Sequence, residues 1–472
     1  MKNIINSSKI NKDILNLLYL ASELGSKENI PTYLVGGFVR DLLIDKSLNT
    51  DIDIMVEGNA ILYAKKLSRV LGIGKVIKYG QFNTALIPHG EVNIEIAGSR
   101  KEEYNSDSRK PKIHYATVEE DMSRRDFTIN AMALSLLKTN FGKLYDPYNG
   151  QKDLLEKKLV TPLEPDKTFS DDPLRMMRAC RFAAQLNFKI DHKILESIKK
   201  QSKRIHIVSK ERITEEIIKI LKSDKPSIGF FLLKEVGLLK YVFPEIDVMP
   251  GVEVINGKGH KDVFIHTLQV VDNAAKLTKK TKIRFAALVH DIAKPNTKRF
   301  YPDKGWTFHG HEEIGRRMLK KVAKRMKLSN DLRDYLMIMT KLHLRPIALA
   351  KRNITDSAVR RVMFEAGDSV DDLMTLCRAD ITSKNPKKVE KYKANFERVD
   401  KLMKDIKTRD EMKSFQSPVR GNEIMKIFNL NEGRMVGQIK NAIEEAILDG
   451  QIENTYKAAY DFMIKNKNDY VD

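Results

Sequence analysis

The sequence predicts a multidomain α+β protein, with a small mixed α/β head followed by a long, mostly helical remainder. Two observations carry this. Between about residues 31 and 150, β-branched runs (TYLVGG, DIDIMV, KVIKY, TALIP, VNIEIAG) alternate with helical patterns at 38–44 and 59–71. From about residue 170, apolar residues recur at i, i+3, i+4 instead, and the linker VTPLEPDKTFSDDP marks the change. A Gly/Pro-rich stretch, VFPEIDVMPGVEVINGKGH, and a second break near KNPKKVEK divide the helical part again. The expected parts are a head at 1–155, a helical neck at 156–250, a histidine-bearing helical block at 251–385 and a basic helical region at 386–472.

A chain of 472 residues can bury a sizeable core. No apolar run reaches the roughly 18 residues of a membrane helix. The first segment, MKNIINSSKINKDILNLLYLASELG, reads as a short amphipathic helix and lacks the features of a signal peptide. Cys180 and Cys377 each fall inside a helical pattern, which predicts two core thiols and a reducing, cytoplasmic setting. The net charge of +21 is concentrated in helical stretches such as SIKKQSKRIH and GRRMLKKVAKRMKL. Cations dispersed over helix faces suit a polyanion with spread phosphates. Nucleic acid is favoured over membrane, because the apolar faces beside these charges point to a core.

In the head, DIDIMV places Asp51 and Asp53 on one strand face, with Ile52 and Ile54 on the other. Two acids on one face require water or a cation between them. Just upstream, YLVGGFVRDLL runs a strand into Gly36-Gly37 and then into a helix carrying Arg40. Paired glycines allow close backbone approach to an anion, so the combination predicts a triphosphate cradle beside metal-binding carboxylates. Glu95, in VNIEIAGSR, fits a third acid on a neighbouring strand, or equally a solvated strand face.

Two arginine-bearing segments follow. In EEDMSRRDFTINAMAL, Arg125 and Asp126 are expected to open a helix, either as a cap and ion pair or as contacts to phosphate and ribose. In SDDPLRMMRACRFAAQ, Asp172 before Pro173 suits a helix start, with Arg175, Arg178 and Arg181 on its basic side. An Asp accepting from an exocyclic amine, with an Arg donating to a ring nitrogen, selects cytosine and adenine over guanine and uracil.

Taken together, LVGGFVRDLL…DIDI, RRDFTINAMA, DPYNGQKDL and DDPLRMMRACRFAAQ resemble the successive motifs of bacterial class II tRNA nucleotidyltransferases. That family comprises CCA-adding enzymes and the similar poly(A) polymerases, with a polymerase-β-like head. The resemblance implies that Asp51 and Asp53 bind catalytic Mg²⁺ and that Gly36, Gly37 and Arg40 hold the triphosphate. It implies further that Arg125 and Asp126 meet ribose or phosphates, and that Asp172 and Arg175, with Arg178 and Arg181, read the base. One departure is visible: Asp171-Asp172 stands where the family commonly has Glu-Asp.

Six of the ten histidines lie between 260 and 385. The order His266, His290-Asp291, Asp380 resembles the HD phosphohydrolase superfamily. That resemblance implies that these four bind one divalent metal, of unspecified identity, with His311 and His343 available for a second. The expected activity is untemplated addition of C, C and A to the tRNA 3′ end from CTP and ATP, by a two-metal mechanism. Basic helices after residue 190 would hold the tRNA backbone. Poly(A) synthesis is the nearest competitor. KYGQFNTALIPHG lacks the arginine-rich segment of that branch, and SRKEEYNSDSRKPKIHYATVEED supplies a polar loop suited to adding both C and A. Partial addition, of CC or A alone, and an HD-centred phosphodiesterase compete with it as well.

Overall fold

The computed structural model describes residues 5, 10–44, 51–90, 92–103, 112–350, 355–383, 385–410 and 417–466. The chain divides into two compact units, Met1–Asp247 and Val248–Asp472. Among the described residues, no helix is long and apolar enough to cross a membrane.

The first unit is built on a seven-stranded sheet of order β3-β4-β5-β2-β1-β8-β9. Its strands are β1 (Thr32–Val35), β2 (Asp51–Val56), β3 (Ile77–Tyr79), β4 (Thr84–His89), β5 (Val92–Gly98), β8 (Ala133–Ser135) and β9 (Leu144–Tyr145). Within this sheet, among the described residues, only the β2–β5 pair is parallel, and its register sets Asp51 opposite Asn93 and Asp53 opposite Glu95. Ile52, Ile54, Ile94 and Ile96 are buried on the other face, so period-2 patterning holds both acidic strands in place from behind. Helix α1 (Lys12–Lys27) is capped by Asn11, whose side chain accepts from the amides of Asp13 and Ile14. Helix α2 (Gly37–Leu43) follows β1 directly, and α3 (Ala60–Val70) follows β2.

The structure corrects two local expectations. The polar stretch after β5 is not wholly loop. Strands β6 (Arg100–Glu103) and β7 (Lys112–Tyr115) pair antiparallel, and residues 104–111 between them lie outside the described residues. The segment RRDFTINAMAL does not open a helix. Arg124 instead closes the short helix α4 (Val118–Ser123), Thr128–Asn130 forms a single 3₁₀ turn, and β8 inserts beside β1. Residues Phe127 to Leu134 are all buried, and a segment covered on both sides shows no strand alternation.

Beyond the sheet the first unit is mostly helical, with α5 (Leu174–Leu186) packed against α6 (Lys210–Leu221). The second unit holds α7 (Val263–Leu277), α8 (Thr281–Val289), α9 (His311–Met326), α10 (Asn330–Leu342) and α11 (Val370–Ala379), then the long α12 (Pro386–Asp410). Three further helices, α13 (Gly421–Phe428), α14 (Arg434–Leu448) and α15 (Tyr456–Lys465), close their own core around Ile439, Ile443 and Met463. Cys180 and Cys377 are both buried and free, as expected for core thiols.

Candidate functional site

The acidic face of the head is assembled by the β2–β5 ladder. Asp51 and Glu95 are exposed and Asp53 is half-buried. Burial, and then the neighbouring charge of Glu95, push the Asp53 carboxyl up to about 6, while Arg125 pulls the other way. A row of carboxylates that crowd one another in this way is a donor set for a hard divalent cation. The three do not close into a cluster with all ligand atoms within 4.8 Å, unlike two groups in the second unit.

Gly36 shapes the floor beside this face. Its φ of +75° and ψ of −143° lie where side chains are strained, and a Cβ there would meet Asp53 Oδ2 at 2.7 Å. Gly37 is different, because a Cβ there would find only Arg40, with Nη2 nearest at 3.5 Å.

The arginines expected to bind substrate are engaged within the protein. Arg40 is buried, donating from Nε to Asp41 at 2.9 Å and from Nη1 to Asn130 at 2.9 Å. Arg125, beside Asp53, donates from Nε and Nη2 to Asp121 Oδ2 and from Nη1 to the Asn130 carbonyl. Burial works against the Asp121 charge, but Arg125 and then Arg124 hold its carboxyl below the usual range. Asp126 accepts from the Phe127 amide, from Asn130 and from Arg178 Nε at 2.6 Å. There too burial is overcome, first by Arg178, and the carboxyl falls to about 2.

On α5, Arg175 donates to the carbonyls of Arg124 (2.6 Å) and Thr168 (3.4 Å). Arg181 Nε lies 2.9 Å from Glu216 Oε2, but neither buried atom has a hydrogen-bond partner of acceptable geometry, so the contact is ionic. The guanidiniums of Arg40, Arg178 and Arg181 surround the Phe182 ring at 5.3, 5.3 and 4.0 Å. Asp172 accepts from the Leu174 amide, but Pro173 takes the N-cap position its place in sequence suggested for Asp172, and the other Asp172 oxygen lies 3.3 Å from Arg212. The structure thus brings Asp51, Asp53, Glu95, Gly36 and Arg125 together, and sets Arg212 as a cation beside Asp172. Sequence patterning does not single out Asp121, Asn130, Phe182, Arg212 or Glu216; only Asp121, in the acid-rich EED before RRD, carries a local signal.

In the second unit the histidines sit at helix ends. His290 Nδ1 meets the Ala287 carbonyl at 2.8 Å, His311 Nδ1 that of Phe308 at 2.7 Å, and His343 Nδ1 that of Thr340 at 2.7 Å. A carbonyl only accepts, so Nδ1 carries the proton in each and Nε2 is left as a lone-pair donor facing inward. His266 Nδ1 meets Thr382 Oγ1 at 3.0 Å.

The ligand atoms form two triads, His266/His290/Asp380 and Asp291/His311/His343. Asp291 joins them. Its Oδ2 lies 3.4 Å from His266 Nε2 and 3.1 Å from His290 Nε2, and its Oδ1 lies 3.4 Å from His311 Nε2 and 3.7 Å from His343 Nε2. The sequence resemblance places Asp291 with the first metal alone, whereas in the structure it faces both triads. Burial pushes His343 down, keeping it neutral and able to ligate. Among the described residues, His290 Nε2 and Asp291 Oδ1 are buried without a hydrogen-bond partner, as atoms waiting for a metal would be. The residues fit a divalent metal site.

Comparison with known proteins fits this geometry. Residues 32–160 match the poly A polymerase head domain, 187–249 the probable RNA and SrmB-binding site of polymerase A, and 263–384 the HD domain. A multifunctional CCA protein of Pseudoalteromonas atlantica is 33% identical over 371 residues, covering 74% of this chain and 84% of that one. The chain belongs to the CCA-adding tRNA nucleotidyltransferase family. A second member of the family, the multifunctional CCA protein of Legionella pneumophila, is 32% identical over 366 residues, again 74% and 84% of the two chains. The fold of the family is seen in the Bacillus stearothermophilus CCA-adding enzyme in complex with CTP (TM-score 0.69, 22% identity, 97% of this chain and 98% of that one). It recurs in the Thermotoga maritima CCA-adding enzyme complexed with tRNA (TM-score 0.57, 22% identity, 98% and 97%). The nucleotidyltransferase head and the HD domain are both metal-dependent families.

Proposed function

We propose that this protein adds C, C and A to the 3′ end of tRNA from CTP and ATP, without a nucleic-acid template. The observation that carries the reading is the parallel β2–β5 register, which sets Asp53 beside Glu95 with the bare backbone of Gly36 against it. Asp51, Asp53 and Glu95 are the residues that would hold Mg²⁺. Magnesium, when bound, acidifies the attacking RNA hydroxyl and offsets charge on the departing pyrophosphate.

The chain's own groups do the positioning. Gly36 lets triphosphate oxygens approach the backbone beside Asp53. Arg125, fixed by Asp121, supplies positive charge at the same place. Arg40, Asp126 and Arg178 act as a frame, since their polar atoms are spent on Asp41, Asn130 and one another. Asp172 is the acid suited to a base amine, with Arg212 close enough to complete the edge that Arg175, turned to two carbonyls, does not present here. The helical parts at 156–250 and 386–472 are assigned to RNA backbone contact, and the setting to the cytoplasm, on their charge and on the buried free thiols.

The test is incubation with tRNA lacking its 3′ end, offering CTP, ATP or both. Ordered addition of two C and one A is expected, and a long A tract would mean poly(A) synthesis instead. Asp53→Ala should abolish addition while RNA affinity is kept, and near-normal addition by that variant would refute the acidic-face assignment.

A second reading is favoured by Asp291 facing both histidine triads. The HD part is a metal-dependent phosphohydrolase site, and loss of phosphoesterase activity in His290→Ala, but not in Asp53→Ala, tests it.

A further inference from the structure

The basic run GRRMLKKVAKRMKL has no task in the acidic face of the head or in the histidine cluster. It occupies most of α9 and continues just past its end, and the structure sorts its charges. The acids Glu312 and Glu313 stand in the first turn of α9, and Arg316 and Arg317 both pair with Glu313. Beyond that pairing the helix carries cations only. Lys320 and Lys324, with Lys327 just after the helix, follow at i, i+4 and i+7, on one face and over about 10 Å of its axis.

These three lysines line one cavity of about 770 Å³ together with residues from the start of α10. Ala323, Leu328 and Met337 supply its apolar lining, and no aromatic ring lines it. Its one acid, Asp334, is already neutralised. Arg333 donates to it from Nε at 2.8 Å and from Nη2 at 2.9 Å, and to Asn330 from Nη1 at 2.9 Å. Arg333 first, and Lys320 after it, hold the Asp334 carboxyl below its usual range. Among the described residues, the side chains of Lys320, Lys324 and Lys327 make no hydrogen bond or ion pair. Like charges four residues apart oppose helix formation, so local stability does not explain the cluster. The helix dipole favours cations in the last turn and accounts for Lys324, but it fades by Lys320, one turn back. Lys327 ends the helix at a φ of +56°, where glycine or asparagine is ordinarily found.

We propose that this groove on the HD part is a docking site for the phosphodiester backbone of tRNA, with Lys320, Lys324 and Lys327 facing its phosphates. Spread cations in a concave site complement spread phosphates, and a lining without aromatic rings offers no base a stacking partner. The contact is therefore one of backbone and shape, independent of base sequence. The groove lies outside residues 187–249, which match an RNA-binding model, and gives the HD part a task separate from its metal cluster. The inference rests on the tRNA reading of the function.

The test uses the full chain and labelled tRNA lacking its 3′ end, with affinity measured from about 50 to 200 mM salt. Each phosphate contact to a duplex adds about 0.9 to the slope of log affinity against log salt. Lys324→Gln with Lys327→Gln should flatten that slope by about 2, weaken binding about tenfold and raise the KM for tRNA without moving that for CTP. Lys324→Arg with Lys327→Arg keeps the charge and should keep the slope. Arg317→Gln with Lys321→Gln removes the same charge from the same helix outside the cavity, and should flatten the slope by less than about 0.5. All four residues are exposed, and melting curves show that the variants are folded. A wild-type slope in the Lys324/Lys327 glutamine variant, or an equal loss in the Arg317/Lys321 variant, would overturn the proposal. Lost binding of tripolyphosphate with an unchanged tRNA slope would assign the groove to small polyanions and overturn it equally. A wild-type chain that neither binds this tRNA nor adds CMP to it would instead overturn the tRNA reading.

Discussion

Gly36 and Gly37 are chemically identical neighbours, yet the structure assigns them opposite sensitivities. In Gly36→Ala the new Cβ would stand 2.7 Å from Asp53 Oδ2, at a backbone φ of +75°. The backbone strain is about 1–3 kcal/mol, a loss that a core of this size tolerates. The contact is the larger matter, because Asp53 is held on a ladder strand and its carboxylate must rotate or shift to relieve it. A misplacement of that order in a reacting constellation costs about a hundredfold in rate. In Gly37→Ala the Cβ meets only the Arg40 guanidinium, Nη2 at 3.5 Å, an ordinary contact, and alanine at a helical position is intrinsically favourable. Steady-state addition of CMP to tRNA lacking its CCA end, with melting curves to show that both variants are folded, separates the two. Gly36→Ala should lose about a hundredfold in kcat, and Gly37→Ala should stay within about threefold. Equal losses in the two variants, or full activity in folded Gly36→Ala, would refute the proposed role of Asp53 with Gly36 against it.

Asp126 should carry a pH signature. Its folded carboxyl is depressed to about 2 from 3.8, so its stabilisation is complete above 3.8 and is lost as pH falls through about 2. Asp126→Asn should therefore cost about 2 kcal/mol at pH 7, and its melting-temperature deficit should shrink below about pH 4. Glu216→Ala strands the buried Arg181 guanidinium and should destabilise the protein by about 3–5 kcal/mol, whereas Arg181→Met with Glu216→Leu should cost far less; chemical unfolding compares them. Asp291→Asn weakens the one carboxylate facing both triads, so metal content by calorimetry should fall at both, while Asp380→Asn should affect only the His266/His290 triad.

What can be read in the sequence divides by locality. The alternation of Asp51, Ile52, Asp53 and Ile54 needs only a strand and a cleft, and the strand is β2, with its isoleucines at 0% and 1% exposure. The histidine pattern is equally local. Each of His290, His311 and His343 satisfies Nδ1 with a carbonyl three residues earlier, in the helix just ended for His290 and His343 and in the turn before the helix for His311, so local backbone alone fixes both ring orientation and tautomer. Elements covered on both faces are harder: β8 shows no period of two, and RRDFTINAMAL therefore reads as a helix.

The arginines escape for a different reason, and it changes what an Arg-rich segment can be taken to mean. Arg178 finds Asp126 across 52 residues and Arg212 finds Asp172 across 40, distances in sequence at which no spacing rule operates. Charge pattern alone presents Arg175, Arg178 and Arg181 as three equivalent cations awaiting anions. A buried guanidinium without a partner is too costly to keep, so the fold has already supplied partners: two carbonyls, Asp126 and Glu216. On the proposed function, the reading of substrate then falls to groups less deeply engaged than these three. Arg212 is such a group, with its side chain 44% exposed beside Asp172. A guanidinium that far in solvent can exchange its acid for a base edge at little cost, because exposed ion pairs are worth about 1 kcal/mol or less. A frame of internally paired arginines with Arg212 loosely held beside Asp172 is compatible with the proposed reading of two different bases, C and then A, at one site.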